Sequence, residues 1–153
     1  MKIQWKNLIT CLAIPLAVGS FSALLTQNSM EAFASLNQPA FAPPGWLFPV
    51  VWTILYVLIG IASYLVFTSG KSNGTALTFY VLQLVFNFFW PILFFRLEQC
   101  FLAFIWLVVL WILILKTILE FYRVSKLAAY LMLSYLLWVT FAGYLNLSIC
   151  LLN

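Results

Sequence analysis

An all-α membrane protein, a bundle of five transmembrane helices with a long loop between the first and second, is the fold this sequence predicts. Three observations lead there. Hydrophobic residues make up 66% of the 153 and charged residues only 7%, with a mean hydropathy of +1.12, which is far too apolar for a water-soluble domain of this length. Five apolar runs, over residues 8–26, 47–67, 75–95, 101–118 and 127–152, come close to or exceed the roughly 20 residues a helix needs to cross a bilayer. The links between them are short, except for residues 27–46. The whole chain, 1–153, reads as a single five-helix transmembrane domain.

The first run follows Lys2 and Lys6, as the apolar region of a secretory signal would. It is longer than the usual ~7–15 residues of such a region, and Pro15, Gly19 and Ser20 suit a packed membrane helix, so it is read as a span. Gly19 and Ala23, spaced as small-xxx-small, predict a homodimer. Residues 27–46 are expected to form an ordered cover, because long loops in compact domains tend to be lids. Prolines at 39, 43 and 44, with Pro49 just beyond, stiffen this loop, and Phe33, Leu36 and Phe41 supply it with apolar side chains.

The second run carries Trp52 and Tyr56 one turn apart. Ser69-Gly70-Lys71-Ser72-Asn73-Gly74 is a turn cluster leading to the third run, and Arg96 to Cys100 is a tight link to the fourth. A polar break from Glu120 to Lys126 precedes the fifth. Lys116, one turn before Glu120, is expected to snorkel and pair with it.

Composition excludes several chemistries. Histidine is absent and the acidic residues are only Glu31, Glu98 and Glu120, which removes zinc sites, histidine-ligated haem and Ser-His-Asp catalysis. No metal and no cofactor is expected. Cys11, Cys100 and Cys150 are odd in number and lack Cys-x-x-Cys spacing, so they are read as small packing residues rather than a disulfide framework. The small basic excess is one-sided, which speaks for topology and against nucleic-acid binding. Lys2, Lys6, Lys71, Lys116, Arg123 and Lys126 fall on the N-terminal side, and Arg96 alone falls on the other with Glu31 and Glu98. The positive-inside rule then puts the N-terminus in the cytoplasm of a bacterial-type inner membrane, with the long loop and the C-terminus outside.

Polar and aromatic residues converge on three helical faces. Trp52, Tyr56 and Ser63 share a face of the second span, Gln83, Asn87 and Trp90 one of the third, and Tyr135, Trp138, Ala142 and Asn146 one of the fifth. At ~1.5 Å per residue, Asn87 and Trp138 come near the bilayer middle, with Trp52, Trp90 and Asn146 in the half nearer the long loop. Trp5 and Trp46 are assigned to the interfacial aromatic belt; Trp138 is too deep for it. Gln83 and Asn87 admit two readings, as glue between helices or as polar groups of a pocket for a flat, largely apolar ligand. In the second, aromatic walls stack on a conjugated ring and Ala142 leaves room for it. Tetrapyrroles and sterols are the candidate classes, with Arg96 available for a propionate.

The stretch Pro39-Ala40-Phe41-Ala42-Pro43-Pro44-Gly45-Trp46-Leu47-Phe48-Pro49-Val50-Val51-Trp52-Thr53-Ile54-Leu55-Tyr56 resembles the hallmark of the tryptophan-rich sensory protein family, whose animal members are the translocator proteins, or peripheral benzodiazepine receptors. Gln83-Leu84-Val85-Phe86-Asn87-Phe88-Phe89-Trp90 with Phe94-Phe95, and Tyr135 to Asn146, resemble its third- and fifth-helix signatures. The three motifs stand in the family's order and span nearly the whole chain. The resemblance implies a five-helix bundle, often dimeric, that binds porphyrins under the first long loop. By motif, it implies ligand contacts at Trp52, Asn87, Trp138 and Ala142, with Gln83, Trp90, Tyr135, Phe141 and Leu145 around them. Some bacterial relatives degrade protoporphyrin in light, which implies such a role for Trp52 and Trp138. Two departures stand out: Ser134 replaces a proline, and no basic residue follows Tyr144 to complete the animal sterol motif. The second counts against cholesterol, although a Leu119, Tyr122, Lys126 pattern of the same general kind occurs.

The resulting expectation is a membrane-embedded tetrapyrrole-binding protein that acts as a sensor or regulator of porphyrin levels. Two rivals are a transporter of porphyrins or other small apolar solutes, and a light- and oxygen-dependent porphyrin-degrading enzyme.

Overall fold

A computed structural model of the protein describes residues 2–71 and 74–153. Helix α1 runs Trp5–Thr26 and passes through a 3-10 turn, Gln27–Ser29, into the short α2, Met30–Ala34. Then come α3 (Leu47–Phe67), α4 (Gly74–Pro91) continuing into a π turn (Ile92–Arg96), α5 (Cys100–Val124) and α6 (Lys126–Leu152). The described residues contain no strand, and five helical stretches are long and apolar enough to span a membrane. Ser72 and Asn73 of the expected turn lie outside the described residues.

The helices close into a ring, since α1 packs on α3, α3 on α6, α6 on α5, α5 on α4 and α4 back on α1. The ring's outer surface is apolar, with Ile9, Phe21, Ile54, Ile105 and Leu137 all exposed; lipid is the environment that tolerates this. Its interior holds Ile59, Leu110, Ile114, Met132 and Val139 together with buried Gln83, Asn87, Tyr135 and Asn146. An interior more polar than the exterior is what a bilayer selects.

Two glycines let α1 reach the ring. A Cβ on Gly60 would stand 2.8 Å from both the Cys11 carbonyl oxygen and the Leu12 Cα, so the α1 and α3 backbones approach through it. One on Gly19 would overlap the Tyr56 ring. Gly19 thus receives a ring of its own chain, while Ala23 is exposed. Ser22 Oγ donates to the Phe88 carbonyl at 2.9 Å and ties α1 to α4.

The second half of the chain corrects three expectations. The polar break between Glu120 and Lys126 shrinks to one residue, Ser125, because α5 continues to Val124 and Ser125 caps α6 by accepting from the Ala128 N–H at 3.3 Å. Glu120 pairs with Arg123 at 3.0 Å rather than with Lys116. Cys100 and Cys150 form a disulfide, Cα to Cα 5.7 Å. Counting cysteines and local spacing missed it because the pairing is created by an antiparallel hairpin. Ser125 lies midway between the two, so equal arms bring the start of α5 level with the end of α6.

Residues 27–46 are ordered, and their first part, 27–34, is helical rather than loop. Phe33 wedges edge-on against Phe94 and Phe95, at 5.8 and 4.9 Å between ring centres. Asn37 N–H donates to Asn153 Oδ1 at 3.0 Å and Asn153 Nδ2 donates back to the Asn37 carbonyl at 2.9 Å. The lid is therefore fastened to the end of α6, beside the disulfide.

The Gly60→Ala variant is expected to lose about 1–3 kcal/mol in detergent unfolding, because backbone must move. Gly143→Ala, whose Cβ would meet only Leu107 Cδ2 at 3.5 Å, is expected to be neutral or slightly stabilising. Cys150→Ser, or reduction, should lower stability by up to about 4 kcal/mol, the chain-entropy value for closing a loop of this size. An unchanged melting curve under reductant would contradict that.

Candidate functional site

The stripes on α3, α4 and α6 meet at a hydrogen-bonded chain. Tyr56 Oη donates to Asn87 Oδ1 at 2.7 Å, Asn87 Nδ2 donates to Tyr135 Oη at 2.7 Å, and Tyr135 Oη donates to Gln83 Oε1 at 2.9 Å. Each bond crosses between helices, so four side chains lock α3, α4 and α6 together. Placement follows from spacing: Gln83 and Asn87, four apart on α4, present stacked amides to the two tyrosines. The chain has one direction and an open end. Gln83 Nε2, a buried donor, has no partner among the described residues.

Aromatic rings build a wall beside this chain. Trp52 stacks on Tyr56 (5.6 Å, 26°) and meets Tyr135 (6.2 Å) and Trp138 (6.4 Å, 88°) edge-on. Trp138 also touches Phe48 at 5.9 Å and Phe141 at 5.5 Å. Its indole Nε1 is buried and, like Gln83 Nε2, unpartnered among the described residues. Buried N–H donors without acceptors are uncommon, because each such group carries a desolvation cost of about 1–3 kcal/mol.

Trp90 belongs to a second tier. Its Nε1 donates to Asn146 Oδ1 at 3.0 Å, and Asn146 Nδ2 donates to the Cys100 carbonyl at 3.1 Å. Trp90 stacks on Phe94 at 5.6 Å, which in turn holds Phe33 of the lid. Ala142 and Leu145 are buried on the α6 face between the tiers. Ser63 is buried but donates within its own helix, to the Gly60 carbonyl. Arg96 is exposed and lines neither of the lid cavities described next.

Two cavities adjoin the lid, one within it and one between it and the bundle, and Phe33 and Leu36 line both. One of about 890 Å³ runs between Met30–Gln38 and Ala42–Gly45 and ends on Phe48. The other, about 490 Å³, sits between the lid, Phe94, Phe95 and the disulfide. The larger falls within the roughly 300–1,000 Å³ range of small-molecule sites. Trp52, Asn87 and Trp138 do not line it; side chains fill the space beside them, and Phe48 joins the cavity to the Trp138 ring. Phe48 is the residue that sequence reasoning left out of the site. It lies within the aromatic-proline stretch, four residues before Trp52 on the same helical face, and that was the available signal.

Comparison with known proteins supplies a family. The model of the TspO/MBR family matches residues 11–152. The "Tryptophan-rich protein TspO" of Chlorobaculum tepidum is 38% identical over 100% of this chain and 99% of its own length. The "Tryptophan-rich sensory protein" of Cereibacter sphaeroides is 35% identical over 100% and 95%. The "Translocator protein" of Bos taurus is 31% identical over 95% and 89%.

Tyr135→Phe would strip Asn87 Nδ2 of its acceptor and Gln83 Oε1 of its donor. It is expected to destabilise the detergent-solubilised protein by about 1–3 kcal/mol. Tyr144→Phe, at an exposed position, serves as the control, and equal melting of the two variants would contradict the network's role.

Proposed function

The chain belongs to the TspO/MBR family and is an integral multi-pass membrane protein, and from this premise we propose that it binds a protoporphyrin-type tetrapyrrole beneath its lid and reports porphyrin levels. The observation that carries the reading is the Trp138 indole: its N–H is buried and unpartnered among the described residues, while its ring stands among Trp52, Phe48 and Phe141. A flat conjugated ligand satisfies both needs at once, with its π face on Trp52 and an acceptor atom at its edge on Nε1 of Trp138, whose plane is nearly perpendicular to that of Trp52. The cavity ending on Phe48 is the approach. Swinging the Phe48 ring would open it onto Trp52, Trp138, Asn87 and Ala142, with Gln83, Trp90, Tyr135, Phe141 and Leu145 behind them. The absence of histidine suits a metal-free macrocycle better than axially ligated haem.

Sensing is preferred to transport because the five unequal spans show no internal repeat or matched broken helices. The side of the membrane follows from the basic residues, with the N-terminus cytoplasmic and the lid outside a bacterial-type inner membrane. A second reading, light- and oxygen-dependent degradation of the bound porphyrin, is favoured by the direct contact of Trp52 and Trp138 at 6.4 Å. An excited macrocycle on that pair would have an electron donor against its face. Illumination with and without oxygen tests it, since turnover that persists without oxygen would refute it.

Titration of detergent-purified protein with protoporphyrin, followed by tryptophan quenching, tests the binding site. The wild type should show saturable quenching, and Trp138→Phe should weaken it about tenfold, equivalent to about 1.4 kcal/mol, with an unchanged melting temperature. Linear quenching that ignores the substitution would mean partition into the micelle and would overturn the reading.

A further inference from the structure

The lid has two halves with different surroundings. Residues 27–37 are fastened to protein, through Phe33 against Phe94 and Phe95 and through the Asn37–Asn153 pair. Residues 39–46 have no such attachment among the described residues; instead they project two large rings outward. Phe41 is 79% and Trp46 68% exposed. Each stands as the third residue of a tight turn, closed by Ala42 N–H to the Pro39 carbonyl (3.0 Å) and Leu47 N–H to the Pro44 carbonyl (3.0 Å). Prolines at 39, 43 and 44 stiffen these turns, so the rings are held out rather than left free to fold back.

What surrounds them follows from α3. Trp46, Val50 and Ile54, exposed at successive steps of four, form one stripe, so the Trp46 ring continues the lipid-facing surface of the bundle without a break. Helix α3 has 21 residues, about 31 Å at ~1.5 Å each, which matches the ~30 Å hydrocarbon core. Trp46, just before its first residue, therefore falls at the boundary between acyl chains and headgroups, where indole rings gain most. Phe41 lies one turn of loop further along the same segment.

We propose that Phe41 and Trp46 anchor the outer half of the lid in the headgroup–acyl boundary of a phospholipid bilayer, while the inner half is anchored to the bundle. The 890 Å³ cavity is bounded by Met30, Phe33 and Leu36 from the inner half and by Ala42, Pro43 and Pro44 from the outer. Movement of the bilayer-held half relative to the protein-held half opens it toward the lipid interface. An apolar ligand already dissolved in the membrane then reaches the cavity sideways, without crossing water. The anchor stands independently of what the cavity binds; the access route rests on the function proposed above.

The test uses the full chain in phosphatidylcholine vesicles. The contribution of Trp46 is obtained as the emission difference between wild type and Trp46→Phe, measured with bromines near the headgroup end of the acyl chains, with bromines near the bilayer centre, and with aqueous iodide. The expected result is strong quenching by the shallow bromines, weaker quenching by the deep ones, and little by iodide. Quenching by iodide alone would place the loop in water, and protection from all three would mean that a second copy of the chain covers the rings. Either overturns the anchor. In the same vesicles, the Phe41→Ser/Trp46→Ser double variant should take up membrane-dissolved protoporphyrin about tenfold more slowly with unchanged saturation. Unchanged uptake alongside shallow quenching would refute the lateral route and leave the anchor. No saturable binding by either protein would refute the proposed function, and the bromolipid result would still decide the anchor.

Discussion

A polar group inside a bilayer-spanning bundle has no water to turn to, and every feature of the interior follows from that constraint. Tyr56, Asn87, Tyr135 and Gln83 satisfy one another in a single directed chain across three helices. Trp90, Asn146 and the Cys100 carbonyl do the same one tier nearer the lid. Helix α1, which contributes little polarity, is seated by shape: Gly19 receives the Tyr56 ring and Gly60 receives the α1 backbone. The position of Tyr56 in the hydrogen-bonded chain thus depends on a residue with no side chain on another helix. What the network leaves over, the donors Gln83 Nε2 and Trp138 Nε1, is as informative as what it uses. Tyr80 Oη is a third buried polar atom without a partner among the described residues, and of the three the Trp138 indole N–H is the one that stands within the aromatic wall.

The lid is held by fewer bonds than the interior. It is connected to the bundle through one wedge of three phenylalanines and one reciprocal asparagine pair, and the Cys100–Cys150 bridge holds the receiving helix ends together. Phe94 links the two systems, with Trp90 stacked on one side and Phe33 of the lid on the other. A ligand that shifted the Trp90 tier would be felt at the lid through that ring, which gives a sensor a physical path from pocket to surface.

Much of this was legible in the sequence. The spans could be read because an apolar run of about 20 residues rarely forms anything but a membrane crossing, and the polar faces because spacing of three, four and seven fixes which residues share a side. Tyr56, Gln83, Asn87 and Tyr135 were found that way. The corrections at the disulfide and at Phe48 depend on which helix lies next to which, and the one at Glu120 on a choice within one helix. Small-xxx-small spacing at Gly19 and Ala23 says that something packs closely, and the same letters serve a neighbouring helix or a second chain. Glu120 has basic residues four before and three after it, and only the actual rotamers choose Arg123. The disulfide required knowing that α5 and α6 form a hairpin turning on Ser125 alone. Phe48 shares the Trp52 face of α3, but its contact with Trp138 depends on α3 packing against α6, which periodicity alone does not give.

The functional reading turns on the Trp138 indole N–H, unpartnered within its aromatic wall, as the recognition point for a tetrapyrrole. An experimentally determined structure of the protein in complex with protoporphyrin would test it without intermediaries. The macrocycle should lie under the lid, stacked against Trp52, with Phe48 swung aside and an acceptor atom within about 3.2 Å of Trp138 Nε1. A macrocycle seated instead on the outer surface, with the Phe48–Trp138 contact intact, would refute that role for the indole.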